Sequence, residues 1–243
     1  MSFLFFGFKK NSKSLVDTDI HSHLIPSIDD GAKDLERSIE LIKSLKEMNY
    51  NKLITTPHIS DMFPNSSAKI KEGYKLLMEE LFKRGIEIEI EVAAEYYADE
   101  KFEELLACGD ILSFGKEKYL LFELSYFTYP SDLETLVYDI KLAGYTPVLA
   151  HPERYTYFHH SLKEYKRLKD MGVLFQINLI SISNYYSTDI SKMGKKLIVN
   201  GMVDFIGSDT HHRGHIKALK ETLSSSLYSK IFKYNSILND TLK

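Results

Sequence analysis

The chain has 243 residues, of which 44% are hydrophobic, and 31 basic side chains nearly balance 34 acidic ones for a net charge of −3. A chain of this length can bury one large core, so we expect a single domain. The near-neutral charge argues against nucleic acid as the main partner. The single cysteine, Cys108, excludes an intramolecular disulfide framework and suits a reducing compartment, so we expect a cytoplasmic protein.

Residues 1–14 read as a short aromatic and basic arm. The run FLFFGF at 3–8 precedes Lys9, Lys10 and Lys13. It is shorter than the roughly 20 apolar residues that cross a bilayer, and its basic residues follow the apolar run, unlike those of a signal peptide. Such an arm can make peripheral contact with a membrane surface, although an ordinary unattached arm is the interpretation that its composition favours.

From residue 15 onward, short apolar runs alternate with helical patterns, which predicts an α/β fold with parallel strands. Seven strands are expected, close to the number of a closed barrel. Their predicted ranges are 15–20, 53–56, 89–94, 119–122, 146–150, 174–177 and 203–207.

Amphipathic helices are predicted between these strands because apolar residues recur every three or four positions. The predicted ranges are 35–48, 67–84, 132–143 and 162–171, with a polar helical segment from residue 216 onward. Ser131 with Glu134 and Ser161 with Glu164 have the spacing of reciprocal N-terminal caps. Left-handed C-terminal caps are expected at Gly85, Gly144, Gly172 and Gly201.

Histidines and carboxylates follow nearly every predicted strand. A single histidine in such a place is usually structural, but parallel β/α barrels assemble their active sites at the carboxyl ends of the strands, and six coincidences are improbable. The residues in these positions are His21, His23, His58, Glu95, Glu123, His151, Asp209 and His211.

The spacing His21-x-His23 places two imidazoles on one face of an extended strand, where they can bind the same ion, and Asp209-x-His211 repeats that geometry. With no cysteine among them, these ligands suit Mn²⁺, Fe²⁺, Zn²⁺ or Mg²⁺. The sequence therefore predicts a metal site without choosing the metal.

Six motifs then occur in order: DIHSHLIPSIDDG, TTPHISDMF, AAEYY, LLFELS, PVLAHPERY and IGSDTHH, within about residues 17–215. The chain thereby resembles the PHP (polymerase and histidinol phosphatase) superfamily, and within it the bacterial capsule and exopolysaccharide tyrosine phosphatases of the CpsB/YwqE type. The resemblance implies that residues 15–243 form a distorted (β/α)7 TIM-like barrel. It also implies a phosphoric monoester hydrolase that acts on phosphotyrosine protein in the regulation of capsule synthesis, with a membrane-associated tyrosine kinase as a partner.

The same resemblance implies three divalent ions, with manganese expected. His21, His23, Glu95 and Asp209 would surround the first ion. Glu95 would bridge to a second ion that also takes Glu123 and His151. Asp30, His58 and His211 would hold the third, and Asp29 is the alternative to Asp30 because adjacent acidic residues leave the register open.

Two arginines are candidate catalytic residues. Arg154 in HPERY and Arg213 after His211 carry planar guanidinium groups that suit phosphate oxygens, although either can be an ordinary surface arginine. The stretch HHRGH departs from the longer loop associated with the family, which makes Arg213 the weaker of the two candidates.

Several other chemistries fit the sequence less well. A cysteine phosphatase needs arginine six residues after the cysteine, where this chain has Phe114, and an aspartyl-phosphate enzyme would not have His21 after Asp17-x-Asp19. We expect Asp19 instead to orient a histidine. An amidohydrolase would need a bridging lysine, and near-neutral charge argues against a nuclease-like polymerase accessory domain. A histidinol-phosphate phosphatase and a non-catalytic, metal-stabilised regulatory protein remain as alternatives.

Aromatic residues crowd the loops after the predicted ligands, and some must be ordinary packing. They are Tyr96, Tyr97, Tyr126, Phe127, Tyr129, Tyr155, Tyr157 and Phe158. A phenol with a pKa near 10 leaves with little help from a general acid, and no strand-end residue is spare for that duty. Both observations favour phosphotyrosine over an alkyl phosphate as the substrate.

Overall fold

The computed structural model describes residues 12–242, so the predicted membrane contact of residues 3–8 lies outside the described residues. Within this range the strands are β1 (Thr18–Asp19), β2 (Lys52–Thr55), β3 (His58–Ile59), β4 (Glu89–Val92), β5 (Glu95–Tyr97), β6 (Tyr119–Glu123), β7 (Thr146–Ala150), β8 (Leu174–Asn178) and β9 (Phe205–Gly207). The helices are α1 (Leu35–Glu47), α2 (Ser67–Lys83), α3 (Glu100–Cys108), α4 (Leu133–Leu142), α5 (Leu162–Asp170), α6 (Thr188–Val199), α7 (Arg213–Leu223) and α8 (Ser226–Tyr234).

The strands form two parallel sheets, which confirms the predicted α/β class. One sheet has the order β1-β2-β4 and the other β3-β5-β6-β7-β8-β9. The predicted strand 89–94 is wrong in one respect, because β4 ends at Val92 and the chain enters the second sheet as β5 at Glu95. An isolated parallel bridge between Ser22 and Thr210 brings the segment after β1 beside the segment after β9.

The four predicted helices are present, and the segment from residue 216 onward is helical as expected. Helix α4 differs at its start, because its N-cap is Asp132 and the Ser131 hydroxyl donates to the Asp132 side chain instead of capping. Ser161 does cap α5 by accepting from the Lys163 amide. All four predicted cap glycines have positive φ, the conformation that glycine adopts without steric cost.

A small apolar cluster lies among the strands, separate from the larger core that packs the strands against the helices. On β6, Tyr119 and Leu121 belong to this cluster, and Glu123 continues the same face at the carboxyl end because side chains alternate along a strand. The same face thus turns from apolar to ionisable along one strand. The cluster comprises Ile20, Ile54, Ala93, Phe114, Tyr119, Leu121, Val148, Ala150, Phe205 and Leu242.

Across residues 12–242, none of the helices combines the length and the apolar character needed to cross a membrane.

Candidate metal centre

The structure brings all nine sequence-predicted ligands together in one site. Their nitrogen and oxygen atoms form four overlapping groups, and within each group the atoms lie within 4.8 Å of one another. The groups are His23–Asp30–His58–His211, His21–His23–Glu95, His21–His151–Asp209 and His58–Glu95–Glu123. Histidine and carboxylate donors without a thiolate fit a divalent ion such as Mn²⁺, Fe²⁺, Zn²⁺ or Mg²⁺.

His21 and His23 are fully buried and present their Nε2 atoms to the centre. The Nδ1 atom of His21 lies 2.7 Å from Gln176 Oε1, and the Nδ1 atom of His23 lies 2.9 Å from Asp29 Oδ2. Hydrogen bonds at Nδ1 leave Nε2 free as a ligand and fix the orientation of the ring. Both rings are therefore held in a metal-binding orientation.

The adjacent aspartates Asp29 and Asp30, in the turn after β1, make different contacts. Asp29 supports His23 and also accepts a hydrogen bond from the His58 amide at 3.1 Å. The Oδ1 atom of Asp30 instead lies 3.3 Å from His211 Nε2 and 3.5 Å from His58 Nε2. A Cβ on Gly31 would lie 2.4 Å from His23 Cβ, so glycine permits this close turn. The arrangement favours Asp30 as the ligand.

Glu95 occupies the middle of the centre. Its Oε2 atom is 3.1 Å from His21 Nε2 and 3.2 Å from His58 Nδ1, and its Oε1 atom is 3.0 Å from His151 Nε2. The carboxylate of Glu123 also approaches His58, at 3.3 Å, and His151, at 3.7 Å. A carboxylate that faces different imidazoles with each oxygen has the geometry to bridge two ions.

At Glu95 and His21 the neighbouring charges shift the pKa more than burial does. Burial alone would raise the pKa of Glu95, but the charges of His21 and His58 hold that pKa well below its usual range. Burial alone would likewise lower the pKa of His21, but Glu95 and Asp209 raise it to about 9. A metal ion that binds at His21 would therefore have to compete with a proton for its imidazole.

His151 and Asp209 both have the left-handed backbone conformation, with φ of 34° and 50°. Neither residue is a glycine, and such strained residues cluster at functional sites. The buried Nδ1 atom of His151 has no hydrogen-bond partner among residues 12–242. The left-handed backbone at His151 and Asp209 therefore costs local conformational energy.

The two predicted arginines differ in location. The guanidinium of Arg154 lies between the rings of Tyr126 and Tyr186, with its Cζ atom 4.5 and 4.3 Å from the ring centroids, and Nη1 is 3.4 Å from Asp209 Oδ2. The side chain of Arg213 is 69% exposed and pairs with Glu40 on α1. The structure brings Arg154 into the site and leaves Arg213 outside the pocket lining, where it pairs with Glu40 on α1.

The expected role of Asp19 is wrong. Its two carboxylate oxygens accept hydrogen bonds from the Ser208 amide at 2.8 Å and the Ser208 hydroxyl at 2.6 Å, so it fixes the backbone before Asp209. Gln176 is the residue that supports His21. Sequence reasoning missed Gln176 and Asn178, although two amides at alternate positions of an apolar strand were a visible signal.

A pocket of about 520 Å³ opens above the centre. Its floor includes seven of the predicted ligands and Arg154, and its walls carry exposed apolar side chains. Phe127 is 95% exposed and Met62 is 80% exposed. The non-ligand lining residues are Ser60, Asp61, Met62, Phe63, Tyr97, Asp99, Ser125, Tyr126, Phe127 and Arg154.

Two tyrosine-protein phosphatases are similar in sequence to this chain over most of its length. The chain is 30% identical to the tyrosine-protein phosphatase YwqE of Bacillus subtilis, over 80% of this chain and 77% of that protein. It is 29% identical to the tyrosine-protein phosphatase CpsB of Streptococcus agalactiae, over 80% and 82% of the two chains.

A crystal structure from work on YwqE of Bacillus subtilis and CpsB of Streptococcus pneumoniae, described as unique metal-dependent tyrosine phosphatases, superposes with a TM-score of 0.77. It is 27% identical in sequence and covers 90% of this chain and 96% of that one. A family model for capsular polysaccharide synthesis, CpsB/CapC, matches residues 17–233. The chain belongs to the CpsB/CapC family.

Proposed function

We propose that this protein is a metal-dependent protein tyrosine phosphatase that acts in the regulation of capsule or exopolysaccharide synthesis. The observation that carries the proposal is the convergence of nine imidazole and carboxylate ligands beneath one pocket, in a member of the CpsB/CapC family. The phosphotyrosine protein is proposed to be a membrane-associated tyrosine kinase encountered in the cytoplasm.

The fold that we propose around this centre is a distorted seven-stranded TIM-like barrel, formed by a single domain of residues 15–243. In it, β2 with β3 and β4 with β5 each count as one interrupted strand. The apolar cluster among the strands supports this arrangement, as does the bridge between Ser22 and Thr210. In such a barrel the carboxyl ends of the strands converge on one active site.

The centre is proposed to hold three divalent ions, with manganese as the expected metal. His21, His23, Glu95 and Asp209 would hold one ion, Glu95, Glu123 and His151 the second, and Asp30, His58 and His211 the third. Divalent ions held by these residues would supply a hydroxide nucleophile at neutral pH, because they would lower the pKa of bound water toward about 7. The positive charge of three such ions exceeds the negative charge of the four carboxylates, which favours a phosphate dianion.

Arg154 is proposed to bind the phosphate oxygens that face away from the ions. Its guanidinium lies at the pocket floor beside Asp209 and is held between two tyrosine rings, so it is oriented before the substrate arrives. A planar guanidinium can donate two parallel hydrogen bonds to a phosphoryl group. We assign no phosphate contact to Arg213.

The pocket walls support an aromatic substrate. Phe63 stacks on His58 with ring centroids 5.4 Å apart, and Phe127 stands almost fully exposed on the loop after β6. A phenyl ring between such walls would bury apolar surface on both faces. A phenol is also a good enough leaving group that the residues around the pocket need not protonate it strongly.

The test compares kcat/KM for a phosphotyrosine peptide, a phosphoserine peptide and histidinol phosphate at equal Mn²⁺ concentration. We expect a clear preference for phosphotyrosine, with the Glu95→Gln variant as the inactive control. A preference for histidinol phosphate would support the alternative function, a histidinol-phosphate phosphatase. Metal binding without turnover of any of the three substrates would support the non-catalytic regulatory alternative.

A further inference from the structure

Two carboxamides on β8 connect the first-strand ligand His21 to the last-strand ligand Asp209. Gln176 and Asn178 are fully buried and occupy alternate positions of the strand, so they share one face. Gln176 Oε1 lies 2.7 Å from His21 Nδ1, and Gln176 Nε2 donates to Asn178 Oδ1 at 2.9 Å. Asn178 Nδ2 then donates to Asp209 Oδ2 at 2.5 Å.

The direction of this chain of hydrogen bonds follows from charge. As an ionised carboxylate, Asp209 only accepts hydrogen bonds, and Asn178 Nδ2 is the atom that faces it. Asn178 must therefore turn its NH₂ group to Asp209 and its oxygen to Gln176. Gln176 must in turn donate through its NH₂ group, which leaves its oxygen to face His21.

We propose that Gln176 and Asn178 are positioning residues through which Asp209 fixes the tautomer of His21, with hydrogen on Nδ1 and Nε2 free to bind a metal ion. An acceptor at Nδ1 excludes the tautomer in which that atom is unprotonated. The proposal rests on the proposed metal centre and adds to it a physical connection between ligands from opposite ends of the sequence.

Two further contacts fit this role. A Cβ on Gly207 would lie 2.7 Å from Gln176 Nε2 and 2.7 Å from His21 Cβ, so glycine leaves the space in which the glutamine and histidine meet. Asn178 binds the Oδ2 atom of Asp209, which leaves the Oδ1 atom directed at the imidazoles, 3.5 Å from both His21 Nε2 and His23 Nε2. The amides thus orient a ligand at each end of the connection.

The first experiment measures Zn²⁺ affinity by chelator competition, without any activity assay. Gln176→Met and Asn178→Leu remove one amide each at nearly constant volume, and each should weaken zinc binding by about tenfold to a hundredfold, as loss of a group that orients a metal ligand does. The matched control is Asn239→Leu. Asn239 is also fully buried, and within residues 12–242 its side chain hydrogen-bonds to the backbone of Thr18 and Ile206, away from the ligands.

The comparison separates positioning from folding. All three variants should lose thermal stability in chelator, whereas only the two β8 variants should lose zinc affinity. Because Asn178 acts on His21 through Gln176, the double variant should lose less affinity than the product of the two single losses. Unchanged zinc affinity in Gln176→Met, or strictly multiplicative losses, would overturn the proposal.

A second measurement uses the wild-type protein and does not depend on any variant folding. Two-dimensional ¹⁵N NMR of the zinc-loaded protein should show His21 with a protonated Nδ1 and a metal-bound Nε2. A zinc bond through Nδ1 would overturn the proposal. If the wild-type protein binds no zinc and no manganese, the metal centre itself fails, and that outcome is distinct from normal metal binding with the wrong His21 tautomer.

Discussion

The two ends of the strands differ in chemistry although they share the same chain segments. At the amino ends, Phe205 packs edge to face against Phe114 and Tyr119, and Leu242 joins them in the apolar cluster. At the carboxyl ends, the same strands present the imidazoles and carboxylates of the metal centre. One end can therefore stabilise the fold while the other concentrates charge that costs free energy when its groups are unpaired.

At the carboxyl ends of the strands, hydrogen bonds from neighbouring residues orient the side chains in addition to packing. Asp29 supports His23, Gln176 supports His21 and Asp19 fixes Ser208 ahead of Asp209. At the amino ends, by contrast, Asn239 satisfies backbone groups of Thr18 and Ile206 and carries no ligand. Substitutions at the two ends should consequently separate activity from stability.

The largest effect should come from metal removal, which affects the carboxyl end alone. Protein treated with a strong chelator should lose essentially all turnover of a phosphotyrosine peptide and regain it with Mn²⁺. Circular dichroism should show that the fold persists, because the apolar cluster does not depend on ions. Full activity in protein shown by elemental analysis to contain no metal would contradict the proposed chemistry.

Glu95→Gln should have the next largest effect, because Glu95 lies within 3.2 Å of three histidines and would touch two ions. The amide keeps the volume of the side chain but removes its charge. We expect kcat/KM to fall by at least about a hundredfold, together with a loss of bound Mn²⁺. Normal metal content with normal kcat/KM would remove Glu95 from the centre.

Arg154→Lys should reduce kcat/KM by roughly a hundredfold while the metal content stays normal, since a preorganised donor to the reacting phosphate is lost. Lysine keeps the charge but neither the planar fork nor the stacking between Tyr126 and Tyr186. Arg213→Lys is the matched control and should change kcat/KM by less than about threefold, because Arg213 pairs with Glu40 outside the pocket. Equal effects of the two substitutions would argue against the phosphate contact of Arg154.

Phe114→Ala tests the opposite end. Phe114 is buried at the amino ends of the strands, and truncation of a buried phenylalanine costs about 3–5 kcal/mol of unfolding free energy. Chemical denaturation should report this loss, while kcat/KM and metal content at low temperature stay near the wild-type values. A large loss of metal affinity in the folded variant would show that the two ends are coupled.

The sequence predicted which residues come together at the proposed metal centre better than it predicted the residues that support them. His21, His23 and Asp209 could be proposed as ligands because metal-binding residue types follow apolar runs at regular places. The role of Asp19 was predicted wrongly, since adjacency in sequence does not tell which group a carboxylate meets. Asn178 and Gln176 depend on the neighbours that β8 acquires only in the folded sheet.

For the helices and strands, too, features set by local sequence were predictable, and features set by tertiary contacts were not. Helix α1 was predictable because its apolar face repeats every three or four residues and Asp34 caps it by accepting from the Arg37 amide. The break between β4 and β5 was not, because the run from 89 to 94 is uniformly compatible with a strand and only the sheet partners divide it. Arg213 likewise acquired its partner Glu40 through tertiary contact.

The smallest effect should come from Cys108→Ser, a substitution that belongs to neither end of the strands. Cys108 is the last residue of α3 and is exposed. The helix starts after Asp99, which lines the pocket, so at roughly 1.5 Å per residue Cys108 lies about 13 Å from Asp99 along the helix axis. Turnover should therefore remain within about threefold of the wild-type value, as for surface substitutions that touch no reacting group. Alkylation of the wild-type thiol with iodoacetamide should be equally harmless, and inactivation by alkylation that the serine variant resists would place the thiol in the reaction after all.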